Sequence, residues 1–158
     1  MKIRKATVDD IPLMIELDRT SATSAHWTEP QYRGLLSPER LVLVASNDEA
    51  PHAPIIKENL LGFIVALHIA PDWELENIIV LLGARRMGIG KRLLDALLAS
   101  ARKTNSEAVF LEVRESNEAA RLFYEKSGFI QSGRRKSYYS NPLEDAVLYR
   151  LALAKPFS

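Results

Sequence analysis

Cysteine is absent from the 158 residues, which excludes disulfides, thiol catalysis and thiolate metal ligands. Histidine is scarce and scattered: His26, His52 and His68 form no metal-ligand spacing, so no metal is expected. Excess charge of either sign is lacking too. The balance of 21 Lys plus Arg against 20 Asp plus Glu gives a formal charge of +1, too little for a chain whose main partner is a bulk nucleic-acid backbone. No apolar run is long enough to span a bilayer, and the first ten residues, MKIRKATVDD, lack the apolar stretch of a signal peptide. A soluble, cytoplasmic protein without membrane contact is the expectation. Nothing repeats internally and no composition shift marks a boundary, so residues 1–158 read as one domain, long enough to bury a core.

What is present is an alternation of strand and helix signals. Lys2 to Ala6 reads as a short strand, and Thr7-Val-Asp-Asp10 as a capping box opening a helix with Ile11, Met14, Ile15 and Leu17 at helical spacing, ending near Thr20. After a loop with Ser21, Thr23 and Ser24, Thr28-Glu-Pro30 starts a short helix toward Leu35. Leu41 to Ala45 and Leu60 to His68 are β-like and flank a hairpin loop over Asn47 to Ile56. Glu74 to Leu82 is the next strand. Gly88 to about Lys103 is a helix with Leu93, Leu94, Leu97, Leu98 and Ala101 on one face. Ala108 to Val113 is a strand, Asn117 to Ser127 a helix closed by Gly128, and strands from Phe129 and over Ala146 to Leu153 complete the order. A mixed α/β sheet with helices on both faces fits.

The passage from Asn77 to Leu98 is the most informative. It joins an apolar strand to an amphipathic helix through a turn containing Gly88 and Gly90. The first amides of a helix lack partners and the peptide dipoles add partial positive charge there, so such a turn suits phosphate oxygens. Arg85, Arg86 and Lys91 add charge around it. Tight strand-to-helix packing explains the glycines equally well on the turn alone. A P-loop from Gly83 would need Lys and Ser or Thr where Ile89 and Gly90 stand, and a dinucleotide fingerprint would need glycine at Leu93. A pyrophosphate cradle of another kind remains.

Arg85-Arg-Met-Gly-Ile-Gly90 resembles the Arg/Gln-x-x-Gly-x-Gly/Ala motif with which the GNAT superfamily of N-acyltransferases holds the pyrophosphate of acetyl-coenzyme A. Leu111-Glu-Val-Arg-Glu-Ser-Asn117, then Ala119 to Phe129, and then Arg134-Arg-Lys-Ser-Tyr-Tyr139 with Glu144-Asp-Ala146 resemble the RimI type, the bacterial ribosomal-protein alanine N-acetyltransferases. The likeness runs from about Glu74 to Leu151. Before it, Ala25-His-Trp-Thr-Glu29 is similar to that family's segment after the first helix. The resemblance implies a mostly antiparallel N-terminal sheet joined to a β-α-β-α-β unit, with acetyl-CoA as co-substrate and a protein N-terminus, such as that of a ribosomal protein met through a local patch, as acceptor. A monomer or homodimer is the expectation.

Acetyl transfer from a thioester to an amine requires a neutral amine, a proton donor for the thiolate and a polarised carbonyl. An α-amine with pKa ~7.7–8.0 is about a tenth neutral at neutral pH, so it asks less of a base than lysine at ~10.4. Glu112 interrupts an apolar strand, where alternation sets it with Phe110 opposite Leu111 and Val113. It reads either as a partner of Arg114 or a strand-end residue, or as a base; the resemblance implies the base. Glu74, with Glu76 on its face, is the rival, placed where many superfamily members carry theirs. Tyr124 reads from its pattern as a core aromatic; the resemblance makes it the acid that protonates the coenzyme A sulfur. Asn117 caps a helix and, by resemblance, also contacts the pantetheine or diphosphate arm. The backbone from Arg86 through Met87, Gly88 and Ile89 to Gly90, with Arg85, is implied for the diphosphate, and Ile79 with its neighbour Val80 for the pantetheine. Leu81-Leu-Gly-Ala84 departs from the family, where Asp-Pro and an aromatic are common. Tyr138 and Tyr139 read as cross-strand packing or, with Trp27, as acceptor contacts. Alternatives are a lysine side chain or small-molecule amine as acceptor, or an acyl-CoA-binding module without turnover.

Overall fold

The computed structural model describes residues 1–21, 26–47 and 59–153. The hairpin loop expected over Asn47 to Ile56 lies, beyond Asn47, outside the described residues, as do Thr23, Ser24 and His52.

Strand β1 (Lys2–Lys5) leads through a single 3-10 turn into helix α1 (Ile11–Thr20). The capping box forms: the Thr7 amide donates to Asp10 Oδ2 at 2.7 Å. Arg4 adds two guanidinium hydrogen bonds to the same carboxylate, at 2.8 and 2.9 Å, tying β1 to α1. Burial alone would raise the Asp10 carboxyl, but the Arg4 and Thr7 hydrogen bonds and the Arg4 charge outweigh it and hold it below its usual range. Helix α2 (Glu29–Arg33) starts on Thr28, whose side chain accepts from the Gln31 amide.

Strands β2 (Arg40–Asn47), β3 (Asn59–Ile69), β4 (Asp72–Val80), β5 (Ala108–Arg114), β6 (Ile130–Tyr139) and β7 (Glu144–Ala152) join β1 in a seven-stranded sheet of order β1-β2-β3-β4-β5-β7-β6. Every neighbouring pair is antiparallel except β4 with β5. Helices α3 (Ile89–Arg102) and α4 (Glu118–Lys126) follow β4 and β5. The mixed, mostly antiparallel sheet expected from the sequence is therefore present.

Both faces are covered. On one, Ile11, Met14 and Leu17 of α1 and Tyr32 of α2 pack against Val42, Val44, Phe63, Val65 and Ile79. On the other, Leu93, Leu94, Leu97 and Leu98 of α3, with Tyr124 of α4, pack against Leu43, Ile64, Leu75, Leu111 and Tyr149. The leucine stripe read from the sequence is the buried stripe of α3.

Two irregularities shape the middle of the sheet. Ala66 pairs with Leu75 but Val65 with Asn77, so Glu76 is an extra residue in β4. The bulge shifts the alternation: Trp73 and Leu75 belong to the α3 side, whereas Asn77, opposite Val65, and Ile79, opposite Phe63, belong to the α1 side. The uninterrupted strand read from Glu74 to Leu82 is corrected on this point and at its ends. The second irregularity is a split. Strands β4 and β5 pair only at Trp73 with Val109 and at Glu74 with Phe110, and beyond that they part.

Candidate active site

The turn after β4 is built to leave donors free. A short 3-10 turn over Leu82–Ala84 ends at Arg85, the chain passes through Arg86 and Gly88 with φ of 69° and 74°, and α3 begins. Arg85 and Arg86 form a turn closed by the Met87 amide; among the described residues the amides from Gly88 to Lys91 donate to no acceptor, and the first capped amide of the helix is that of Arg92, bonded to the Gly88 carbonyl at 3.0 Å. Four consecutive N–H groups at a helix N-terminus thus stand ready for an anion. Ile89 is buried and anchors the turn, while Arg85, Arg86 and Met87 are exposed. Lys91 pairs with Asp95 at 3.0 Å, which leaves the two arginines as the unpaired side-chain charge beside these amides.

The turn abuts the split. A Cβ placed on Gly90 would lie 3.6 Å from both Val80 Cγ2 and the Phe123 ring, so the start of α3, the end of β4 and α4 meet at this glycine. The edge of β4 facing β5 is unpaired beyond Glu74, and Ile79 and Val80 lie along it. The Ile79 side chain is buried on the α1 side and its carbonyl faces β3, so the main-chain groups turned toward the split here are those of its neighbour Val80. Gly62 lets β3 close onto the opposite edge of β4: a Cβ there would stand 2.7 Å from the Ile79 carbonyl oxygen. A long chain with amides and a diphosphate at one end fits these donors, which is the chemistry of coenzyme A.

From α4, Tyr124 packs against Phe123, Phe129 and Tyr149, at centroid distances of 5.4, 5.6 and 6.5 Å. Its hydroxyl makes no hydrogen bond among the described residues, and burial pushes its pKa well above that of a free phenol. It is a protonated donor without a partner. Asn117 caps α4, its Oδ1 accepting from the Ala120 amide at 3.2 Å.

The carboxylates gather on the sheet face that also carries α1. Glu74 and Glu112 line one groove of about 400 Å³ with Asp72, Phe110, Leu148 and Arg135. Alternation in β5 holds as expected: Leu111 and Val113 are buried, and Glu112 lies on the other face. Its partner, however, is not Arg114. Glu112 Oε1 pairs with Arg135 Nε at 3.0 Å, whereas Arg114 pairs with Glu144 at 3.2 Å and lies 4.3 Å over the Tyr139 ring. Burial, then the charges of Glu76 and Glu112, raise the Glu74 carboxyl above its ordinary value against the pull of Arg135 and Arg40. Tyr138 is drawn upward by the Glu112 charge and a hydrogen bond to it, and stacks edge-on against Tyr139 at 5.1 Å.

Both candidate bases therefore share one groove; Tyr138 does not line it but reaches Glu112 from beside it. Trp27 does not line that groove; it packs edge-on against Tyr32 at 5.6 Å. Arg135 and Asn77 received no role from the sequence. Arg135 carries its meaning only through a residue on another strand, and Asn77 only through the bulge. Among the described residues, no group of three or more His, Asp or Glu side chains could hold a metal ion.

The family model described as "Acetyltransferase (GNAT) family" matches residues 15–129. The ribosomal protein bS18-alanine N-acetyltransferase of Haemophilus influenzae is 37% identical over 89 residues, which are 56% of this chain and 60% of that protein. Its counterpart in Salmonella typhimurium is 27% identical over 147 residues, 92% of this chain and 93% of that one. Among solved structures, the ribosomal-protein-S18-alanine N-acetyltransferase of Escherichia coli superposes with a TM-score of 0.83 at 23% identity, covering 99% of this chain and 96% of that one.

Proposed function

The chain belongs to the acetyltransferase (GNAT) family, and on that premise we propose that residues 1–158 form one cytoplasmic N-acetyltransferase domain that moves acetyl from acetyl-CoA to the α-amine of a protein N-terminus. The observation that carries this reading is the split between β4 and β5, which opens between the free amides at the start of α3 and the two-carboxylate groove. The amides and the exposed Arg85 and Arg86 would grip the diphosphate, and the free edge of β4 at Ile79 and Val80 would pair with the pantetheine. Bound there, acetyl-CoA supplies an activated acetyl group.

The chain's own residues then divide the proton traffic. Glu112 or Glu74, directly or through a water, takes a proton from the acceptor amine, and direct attack needs no covalent enzyme intermediate. Tyr124 holds the proton for the departing thiolate. Burial weakens a phenol as an acid, but it destabilises a thiolate in the same dry pocket as well, so the transfer is not lost. The names of the relatives, and Tyr138 standing beside the carboxylates, favour a peptide α-amine, with a ribosomal protein as the acceptor class.

Incubation with labelled acetyl-CoA and a panel of N-terminal peptides, lysine-containing peptides and small amines, followed by mass spectrometry, tests this. Label on peptide α-amines is expected. Preference for lysine side chains or small amines would overturn the acceptor, and coenzyme A binding with no transfer would overturn the enzyme.

A further inference from the structure

Asn77 is buried in β4, 8% exposed, in a row otherwise made of Val42, Val65 and Ile79. Its Nδ2 is closed off from solvent and has no hydrogen-bond partner among the described residues. An orphaned buried donor costs stability, and an apolar residue of the same size in this row would avoid that cost. The other end of the carboxamide is different. Oδ1 makes no hydrogen bond among the described residues either, yet unlike Nδ2 it is not fully closed off from solvent.

Asn77 does not itself line the carboxylate groove, but the register places it at the split beside it. From the last β4–β5 pair, Glu74 with Phe110, Glu112 stands two positions on in β5. In β4 the bulge absorbs one residue, so Asn77 stands level with Glu112, on the same face and across the split. A neutral amine attacking there has two N–H bonds and one lone pair to orient.

We propose that Asn77 is the residue that aligns the acceptor nitrogen: Oδ1 accepts one N–H, a carboxylate of the groove takes the other proton, and the lone pair is left facing the thioester. The inference rests on the acyltransferase reading but not on the peptide, because every primary amine offers that N–H. The orphaned Nδ2 is then the cost of keeping an oxygen at this position.

The experiment compares the full-length protein with Asn77→Leu, using acetyl-CoA and whichever amine the wild type acetylates. The leucine variant is expected to melt higher than the wild type while kcat/KM for the acceptor falls about tenfold or more, the loss of one hydrogen bond in the reacting complex. KM for acetyl-CoA is expected to stay within about twofold. The acid limb of the pH profile should not move, since the base is untouched. Should the leucine variant be insoluble, Asn77→Ala is read in the same way. Acceptor kcat/KM within about twofold of wild type in the folded variant overturns the assignment of Asn77 alone. A wild type that acetylates no amine overturns the acyltransferase reading and this assignment with it.

Discussion

Tyr124 illustrates how one atom can be removed from a site without disturbing its walls. The ring is held by Phe123, Phe129 and Tyr149, while the hydroxyl contributes no hydrogen bond to the fold. Tyr124→Phe is therefore expected to leave the melting temperature and the calorimetric Kd for acetyl-CoA nearly unchanged and to lower kcat by about 10²-fold or more, the range of general acid catalysis. A kcat equal to wild type would remove Tyr124 from the proton path. The residue type and its motif were enough to single out this tyrosine. What its sequence does not carry is the isolation of the hydroxyl, which depends on Phe129 and Tyr149 arriving from other segments.

Among the elements, the strand-to-helix turn is the most exacting. Gly88 has φ of 74° and nothing within 4 Å of where a Cβ would sit, so any substitution meets backbone strain rather than a clash. Gly88→Ala is expected to cost about 1 kcal/mol of stability in denaturant unfolding. Gly88→Asp should in addition weaken acetyl-CoA binding, because it sets a negative charge against the diphosphate. Equal Kd values for the two variants would separate this turn from the phosphate. The turn was legible because glycine spacing and the leucine stripe of α3 are local signals. The bulge at Glu76 was not: Glu74-Leu-Glu-Asn77 reads as plain alternation, and the extra residue exists only relative to β3. Gly62 was missed for the same reason, since its need for a bare Cα comes from the Ile79 carbonyl on the neighbouring strand. The reading of Arg114 as partner of Glu112 failed because sequence proximity suggested a pair that the sheet replaced with Arg135.

For the whole molecule, stability against acid reflects carboxylates of opposite behaviour. Asp10 is held below the ordinary aspartate value, so the unfolded chain takes up its proton first as pH falls. The stability from its Arg4 and Thr7 contacts is thus complete above that value and is lost as pH falls through the folded pKa. Glu74, raised by burial and then by Glu76 and Glu112, lies above the ordinary glutamate value, so the folded chain binds the proton first and Glu74 costs stability at neutral pH, a cost that disappears on acidification below the ordinary glutamate value. Melting curves across pH should accordingly show Asp10→Asn below wild type and Glu74→Gln above it near neutrality, with both differences shrinking toward acid. A Glu74→Gln variant less stable than wild type at neutral pH would contradict the crowding of Glu74 by Glu76 and Glu112.

The parting of β4 from β5 has a mechanical side. Among the described residues the backbone ladder joins the four-stranded plate β1 to β4 to the three-stranded plate of β5, β7 and β6 at only two residue pairs, with α3 packed across both plates. A thioester lodged in that seam, as proposed, would bridge the two plates like a rivet, so loading the molecule would also complete its scaffold.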